Sequence, residues 1–402
     1  MVALFPSKVE FMPRLIVFGA FMFTVTSAMA THAQTSARQP HVSMTFLSHR
    51  ASYNQLYQSQ PDGANEQAIF GGPITDLPSF DDSYKMYREP HWTRQSPNGK
   101  YFASWLYEMG IPHSKYKGSS RPMLVVGDLG GKWTRIVNSA CHEEFAWSQD
   151  SKQLAFSVFS ETNYNGVLQQ LVDTTEIFVT GIDGSNYNCI LEKKGKWIVL
   201  DWSPDGKRLL IENRRLGGKI EDSQSNLFEF RVIDAIDARR KSKYDPNWVT
   251  QKASDFLTPI SLNLKDLQFS GARYSPTRSE IAIETFDPRN MYAPNLVGDD
   301  ELSQGRMMRL LGKIHVFDTH TSALRKVADY DDGIRGPICW SPDGNDIYFS
   351  RYLPKDDDRE KMSEDKEHGL SIWAVGRDGE NARFVTTGWS PDFPRNVTID
   401  GK

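Results

Sequence analysis

The 402-residue chain has only three cysteines, Cys141, Cys189 and Cys339, and no Cys-x-x-Cys pair. A dense disulfide scaffold and a dithiol redox motif are therefore excluded. The spacing leaves open whether Cys141 and Cys189 form one disulfide or all three thiols are free. Cys339 precedes Trp340 in an apolar stretch and is interpreted as a small buried hydrophobic residue.

Positive charge is also scarce, because 47 Lys and Arg residues face 51 Asp and Glu residues and no basic block occurs. Nucleic-acid binding needs a concentrated field of Lys and Arg, so no nucleic-acid partner is expected. The sequence has no Gly-x-Ser-x-Gly pentapeptide, which excludes the nucleophile elbow of an α/β-hydrolase. Long helical periodicity is nearly absent; only 250–258 and 301–312 are compatible with short helices.

Regular metal-binding motifs are missing among the nine histidines. His315 and His320 are five residues apart along a strand and face opposite sides. The densest ligand-like cluster is 141–144, Cys-His-Glu-Glu, where adjacent side chains of an extended chain point apart. We therefore predict no catalytic residue, no metal ligand and no cofactor. A hidden metal site would draw on three residues: His91, His113 and His142.

Apolar residues form one long run, 15–25, which follows Lys8 and Arg14 and precedes the small residues of 27–30. This is the pattern of a secretory signal peptide, residues 1–30, with cleavage near Ala30. The run is too short to cross a bilayer, which takes about 20 apolar residues. The mature chain is expected to be periplasmic or secreted, without stable membrane insertion. The start of translation, Met1 or Met12, stays open.

One short sequence occurs six times with decreasing fidelity. Residues 201–206 read Asp-Trp-Ser-Pro-Asp-Gly, and residues 339–344 read Cys-Trp-Ser-Pro-Asp-Gly. The aromatic or equivalent position falls at Gln95, Trp147, Trp202, Tyr274, Trp340 and Trp389. Self-similarity at intervals near 50 residues is typical of repeat architectures.

Each copy has the chemistry of a tight hairpin turn. Pro fixes one backbone angle, Asp caps the turn through its side chain, and Gly supplies conformational freedom. A second strand pair follows each copy, so each unit has four strands, as in a propeller blade. The fold class predicted is all-β, a six-bladed β-propeller spanning 31–402, with clear repeats from about 90 to 395. Seven blades remain an alternative.

Ring closure is predicted from the last copy, because 389–400 has room for two strands only. The missing pair has to come from elsewhere, since an unpaired edge would otherwise be exposed. The free strand candidates are 41–47 and 67–72, near the start of the chain. We therefore predict one blade built from both termini. The motif tryptophans are expected to pack between blades and not to form a sugar-stacking platform.

The string Trp-Ser-Pro-Asp-Gly-Lys at 202–207 resembles the repeat of TolB-type β-propellers, as does Trp-Ser-Pro-Asp-Gly at 340–344. The resemblance covers about residues 90–395, and the copies at 95, 147 and 274 are degenerate. TolB carries an N-terminal α/β domain that is not apparent here, which argues against a Tol–Pal role. Related propellers in prolyl-oligopeptidase-type enzymes accompany a hydrolase domain that this sequence lacks. The resemblance therefore implies a fold and no activity.

The long segments are predicted to lie on one face of the propeller, here called the loop face. They join second to third strands, and a further one, 241–265, is interpreted as a connector between blades. The segments of the first kind are 106–122, 159–175, 213–225, 286–312 and 351–369. Arg and Tyr are enriched in them, as at interaction surfaces. The predicted binding residues are Arg214, Arg289, Arg351, Tyr107, Tyr292 and Tyr352.

Arg214, Arg289 and Arg351 occupy similar positions in three repeats and are predicted to form a positive rim for a carboxylate. The leading functional hypothesis is a monomeric binding module or scaffold for a protein, peptide or saccharide. The alternatives are a metal-dependent polysaccharide lyase or hydrolase, and an accessory subunit of a separately encoded hydrolase.

Overall fold

The computed structural model divides the chain into two units, Met1–Gln39 and Pro40–Lys402, of which the first lies outside the described residues. The predicted signal peptide therefore has no structural description. The residues that the structure describes are 42–48, 54–73, 86–110, 122–130, 132–138, 141–161, 172–215, 224–241, 252–262, 264, 267–286, 312–329, 334–352 and 370–395.

Six antiparallel sheets form a ring, so the prediction of a six-bladed β-propeller is confirmed. Blade 1 combines β1 (Met44–Ser48), β2 (Gln55–Ser59) and β3 (Gln67–Phe70) with β25 (Trp389–Asp392). Blade 2 contains β5 (Met86–Gln95), β6 (Tyr101–Gly110), β7 (Pro122–Asp128) and β8 (Trp133–Asn138), with the two-residue β4 (Gly72–Pro73) along β5. Blade 3 contains β9 (Cys141–Trp147), β10 (Gln153–Glu161), β11 (Val172–Gly181) and β12 (Asn188–Lys194).

The other three blades follow the same order from the inner to the outer strand. Blade 4 contains β13 (Lys196–Trp202), β14 (Arg208–Arg215), β15 (Gln224–Arg231) and β16 (Leu257–Ile260). Blade 5 contains β17 (Gln268–Tyr274), β18 (Glu280–Phe286), β19 (Gly312–Asp318) and β20 (Leu324–Asp329). Blade 6 contains β21 (Ile334–Trp340), β22 (Asp346–Tyr352), β23 (Leu370–Gly376) and β24 (Arg383–Thr387).

Ring closure by the two ends of the propeller is confirmed, but its composition differs from the prediction. β1 pairs with β25, with Thr45 opposite Asp392 and Leu47 opposite Trp389. Blade 1 therefore takes three strands from the start and, among the described residues, one from the end. The sequence analysis missed β2, because Gln55–Ser59 alternates polar and apolar residues too briefly to stand out. Residues 397–399, assigned to a second C-terminal strand, lie outside the described residues.

In five copies the repeated motif forms the turn between the first and second strands, whereas the sixth copy, Trp389–Asp392, is itself strand β25. In blade 4 the Ser203 hydroxyl donates to Asp205 Oδ1 at 2.5 Å and accepts the Arg208 N–H at 2.9 Å. Gly206 has a φ of 71°, a conformation that residues with a Cβ rarely adopt. These turns define the motif face of the ring. Because strands in a blade alternate in direction, the second turns start from the opposite, loop face.

The motif tryptophans pack between blades, as predicted. Trp147 Nε1 donates to the Arg94 carbonyl of the preceding blade at 3.1 Å. Trp340 Nε1 makes the equivalent bond to the Arg273 carbonyl, also at 3.1 Å. Trp202 is 2% exposed and packs in the core shared by blades 3 and 4. These three indoles therefore lie between neighbouring sheets, whereas Trp389 lies on β25 and is only partly buried.

Helix α1 (Val232–Lys241) was not expected, since only 250–258 and 301–312 were considered compatible with short helices. The strand ends at Arg231, and the helix has Asp234 in its first turn and basic residues in its last, which suits the helix dipole. A 3₁₀ helix at Ala253–Phe256 falls inside the predicted 250–258. Val232, Ala235 and Ala253 are buried in the core between blades 3 and 4.

The position of α1 also corrects the assignment of 241–265 as a blade connector. α1 and the 3₁₀ helix join β15 to β16, which are the third and fourth strands of blade 4. This connection belongs to the motif face, so the extra length of the chain is not confined to one face. The segments that join second to third strands begin and end at strand ends on the loop face, and their central residues lie outside the described part of the chain.

A disulfide between Cys141 and Cys189 does not fit the sheet of blade 3. Cys141 lies on the inner strand β9 and Cys189 on the outer strand β12, with β10 and β11 between them. Three strand spacings amount to about 14 Å, well beyond the reach of a disulfide. Cys189 is a free thiol, and burial raises its pKa to about 12. Cys339 is free and 3% exposed, in agreement with its interpretation as a buried hydrophobic residue.

Candidate functional site

The inner strands of all six blades carry a register shift against their second strands. In blade 4, Val199 is opposite Ile211 and Asp201 is opposite Leu210, so Leu200 has no partner in the ladder. A bulge of this kind bends the strand and redirects its side chains and peptide groups. The carbonyl of Leu200 is thereby available to groups from other blades.

Charged side chains from the inner strands, together with Arg395 just beyond β25, meet in the central channel. They are Arg94, Glu144, Asp201, Arg273, Asp392 and Arg395, here called the axial cluster. Their mutual contacts join blades that are not neighbours in the ring. Arg94 of blade 2 reaches Leu200 of blade 4, and Arg395, which follows blade 1, reaches Asp201 of the opposite blade 4. Such contacts have to cross the channel itself.

Two arginines share one carboxylate and one carbonyl. Arg94 and Arg273 each donate to the Leu200 carbonyl at 2.7 Å. Both also donate to Glu144 Oε2, Arg273 at 3.3 Å and Arg94 at a shorter distance. Arg273 is 1% exposed, Glu144 is 6% exposed and Arg94 is 7% exposed. This half of the cluster is therefore buried and densely hydrogen-bonded.

The other half is anchored by the chain end of the propeller. Arg395 Nη2 contacts both carboxylate oxygens of Asp201, at 2.8 and 2.9 Å, and Asp201 Oδ2 also accepts the Tyr274 N–H. Asp392 Oδ2 accepts the backbone N–H of Gln95 at 2.5 Å. The segment that follows β25 thus crosses the channel at the motif face.

The cluster contains three guanidinium groups and three carboxyl groups, so its formal charges balance. Burial, with Arg273 close by, lowers the pKa of Arg94 to about 10, and the group stays charged at neutral pH. Burial raises the pKa of Asp392 to about 6, against the opposing effect of Arg395, Arg94 and Arg273. Burial also raises the pKa of the nearby Cys339 thiol well above its ordinary value, which makes it a poor nucleophile. The ion pairs of the axial cluster close the central channel. They do not resemble an acid–base pair arranged for catalysis.

The sequence analysis missed this cluster, although a signal was present. The residue directly before the motif aromatic is Arg94, Asp201 or Arg273 in three copies, within an otherwise apolar lead-in. A charge at a position that the repeat otherwise keeps apolar is informative, because buried charges need partners. The partners lie on other blades, however, and the repeat pattern does not identify them.

Two of the predicted rim arginines are described, and both are engaged within the protein. Arg214 forms a fork with the fully buried Glu212, at 2.8 and 2.9 Å, and donates to the Phe269 carbonyl of blade 5. Arg351 is 7% exposed, and its guanidinium lies 4.5 Å from the centre of the Trp373 ring. These two side chains belong to blades 4 and 6, and the structure does not bring them together.

The remaining predicted binding residues have little or no structural description. Tyr107 lies on β6 and Tyr352 on β22, and their side chains are outside the described set. Arg289 and Tyr292 lie outside the described residues altogether. The positive rim therefore stays a prediction. It rests more on Arg289 than on Arg214 and Arg351, because these two already contact other groups of the protein.

The three histidines considered as possible metal ligands are described only in part. Within the described part of the chain, no group of three or more His, Cys, Asp or Glu side chains is placed to hold a metal ion. His91 Nε2 lies 3.2 Å from Asn54 Nδ2 and 3.9 Å from Glu89 Oε2. His113 and the side chain of His142 are outside the described set.

Of the helices in the described ranges, none is long and apolar enough to span a membrane.

Comparison with known proteins places the fold. No family model and no curated protein matches the sequence. TolB from Acinetobacter baumannii superposes with a TM-score of 0.52 at 12% identity, covering 88% of this chain and 66% of that one. A putative TolB from Agrobacterium tumefaciens gives 0.48 at 14% identity, covering 87% and 90%. An oligogalacturonate lyase in complex with manganese gives 0.40 at 13%, covering 80% and 71%. At such identities only the fold is shared, and the chain is a TolB-like six-bladed β-propeller.

Proposed function

We propose that this chain is a binding module that recognises a protein, peptide or saccharide through the loop face of its propeller. The observation that carries the proposal is the axial cluster. It fills the channel next to the motif turns with buried ion pairs, and the segment through Arg395 crosses it there. A ligand that uses the channel mouth has to approach from the loop face.

The chemistry of the described residues supports binding over catalysis. Glu144 and Asp201 are held by guanidinium groups, and the two described thiols have raised pKa values. A general base or nucleophile needs a free partner and a pKa near the working pH. Surface recognition needs neither, and propellers typically present variable loops on a rigid scaffold.

Two single substitutions test which face of the propeller binds the ligand. Arg289→Ala alters the loop face, and Lys207→Ala removes a basic residue from an exposed position in the motif turn of blade 4. The ligand is first selected with the purified mature chain on peptide and glycan arrays. We expect Arg289→Ala to weaken binding at least about fivefold, about 1 kcal/mol, and Lys207→Ala to change it by less than twofold. The reverse order would reject the loop face.

Export is part of the same proposal. The apolar run and the Ala-x-Ala site predict removal of residues 1–30, which leaves Thr31 as the first residue. Intact-mass analysis of the protein recovered from the periplasm or medium is expected to match residues 31–402. A protein that retains its first 30 residues and sediments with membranes would contradict this prediction.

A further inference from the structure

A groove of about 560 Å³ lies between blades 3 and 4, on the side where the inner strand of blade 4 begins. Its volume is within the range of small-molecule sites, about 300–1,000 Å³. The residues that line it are Lys193, Trp197, Asn213, Asn226, Phe228, Ser254 and Leu257. It contains no residue of the predicted rim and none of the axial cluster.

Helix α1 and the 3₁₀ helix explain why a groove exists at this junction of blades. Val232, Ala235 and Ala253 are inserted into the core between the two sheets. The 3₁₀ helix contributes Ser254 to the groove wall, and Leu257 follows it at the start of β16. Among the described residues, no other blade has a helical insertion between its third and fourth strands, so this junction differs from the rest of the ring.

Lys193 supplies a positive charge that is held in place. Its ammonium group donates to Ser254 Oγ at 2.9 Å and lies 5.3 Å from the centre of the Trp197 ring. Neither contact cancels the charge, and no ion pair joins Lys193 to a carboxylate of the described residues. Lys194 and Lys196 flank Gly195 in the connection to β13, and neither is among the residues that line the groove.

The other walls offer two carboxamides and two aromatic rings. Asn226 is exposed, and Asn213 uses one N–H for a 3.3 Å bond to the Lys196 carbonyl. The rings of Trp197 and Phe228 pack with centroids 5.2 Å apart and form the apolar wall. Carboxamides both donate and accept hydrogen bonds, which suits neighbouring hydroxyl groups, and aromatic faces suit the C–H surface of a sugar ring.

We propose that this groove binds an acidic saccharide, with a carboxylate of the sugar on Lys193 and its hydroxyl groups on Asn213 and Asn226. A peptide fits less well, because β14 and β15, which carry Asn213, Asn226 and Phe228, are paired on both edges within blade 4 and offer no free edge to an added strand. At these two strands the ligand is therefore recognised by side chains. The inference rests on the proposed binding function and assigns it a site and a ligand class.

The test uses the full mature chain, uronate-containing disaccharides, their carboxyl-reduced neutral counterparts and an acidic pentapeptide, by titration calorimetry. Lys193→Met removes the charge and keeps the stem, Asn226→Ala removes one carboxamide, and Lys194→Met is the matched control outside the groove. We expect Lys193→Met to weaken uronate binding about tenfold, Asn226→Ala about threefold, and Lys194→Met less than twofold. The neutral disaccharide should bind the wild type about tenfold more weakly than the uronate. Thermal melting verifies that each variant is folded.

Three outcomes would overturn the inference. If uronate binds equally well to wild type and Lys193→Met but is lost in Arg289→Ala, the groove is wrong and the proposed loop-face function stands. If the peptide binds and no saccharide does, the ligand class is wrong. If no saccharide or peptide binds the folded wild type, the groove is wrong, and the proposed function is decided by the array-selected ligand with Arg289→Ala and Lys207→Ala.

Discussion

Replacing Glu144 with Gln is expected to lower the free energy of unfolding by about 3–5 kcal/mol, the usual loss when one member of a buried ion pair is removed. Gln keeps the shape of the side chain and removes its charge. Arg94 and Arg273, which both donate to Glu144 Oε2, would then be two buried guanidinium groups without their shared carboxylate. The lowered pKa of Arg94 already reflects its burial and the proximity of Arg273.

The matched control is Asp237→Asn on α1. Asp237 lies 3.6 Å from Arg240, and both side chains are more than half exposed. Exposed pairs of this type contribute about 0–1 kcal/mol. Urea unfolding, followed by tryptophan fluorescence and circular dichroism, measures both variants at pH 7. A loss of less than about 1 kcal/mol for Glu144→Gln would mean that the axial cluster does not hold the blades together.

The pH dependence of stability is expected to contain two opposing contributions of similar size. Burial raises the pKa of Asp392 to about 6 from an ordinary value near 3.8. The folded state therefore binds this proton more tightly than the unfolded chain does. Its contribution is fully present below about pH 4 and is lost as the pH rises through 6, a change of about 3 kcal/mol.

His315 acts in the opposite direction. Burial, together with Lys313 and Lys326, lowers its pKa to about 4, against the opposing effect of Asp329. The unfolded chain takes up a proton near pH 6.5, where the folded state does not. Stability from His315 is therefore lost as the pH falls from 6.5 to 4, again by about 3 kcal/mol. Between these pH values the two groups offset each other in the wild type.

Single substitutions separate the two contributions. Asp392→Asn keeps an acceptor for the Gln95 N–H and is expected to become less stable as the pH falls from 6.5 to 4.5, because His315 then acts alone. His315→Asn keeps a hydrogen-bonding group near Thr285 and is expected to become more stable over the same interval. Urea unfolding at half-unit steps of pH measures both slopes. Two variants with the same slope as the wild type would contradict this account.

The fold was predictable because the repeated turn is local. Ser203, Asp205 and Gly206 bond within six residues, so the chemistry of each turn is visible in a short stretch of sequence. Helix α1 was missed because the β-branched residues Val232 and Ile233 directly follow β15 and are also typical of strands, so the tertiary context decides where the strand ends.

The candidate site was less accessible to sequence reasoning. Arg94 and Glu144 are 50 residues apart, and Arg395 and Asp201 are 194 apart, so only the closed ring brings them together. The rim prediction identified strand positions from the repeat but not the contacts of the side chains. It placed Arg351 at a channel mouth from its position in the repeat, and the repeat gave no sign that its side chain packs on Trp373. A repeat pattern identifies the blade and the strand of a residue. It does not show which charged side chains already bind other groups of the protein.

The pairing of β1 with β25 has a consequence for biosynthesis. Thr45 and its partner Asp392 are 347 residues apart, so the first strand is made long before the last one leaves the ribosome. Until then β1 has one unsatisfied edge, a state that favours association with other chains. Nascent chains of this protein should therefore depend on a holdase chaperone until β25 pairs with β1. Premature termination before Trp389 should yield aggregates rather than a five-bladed product.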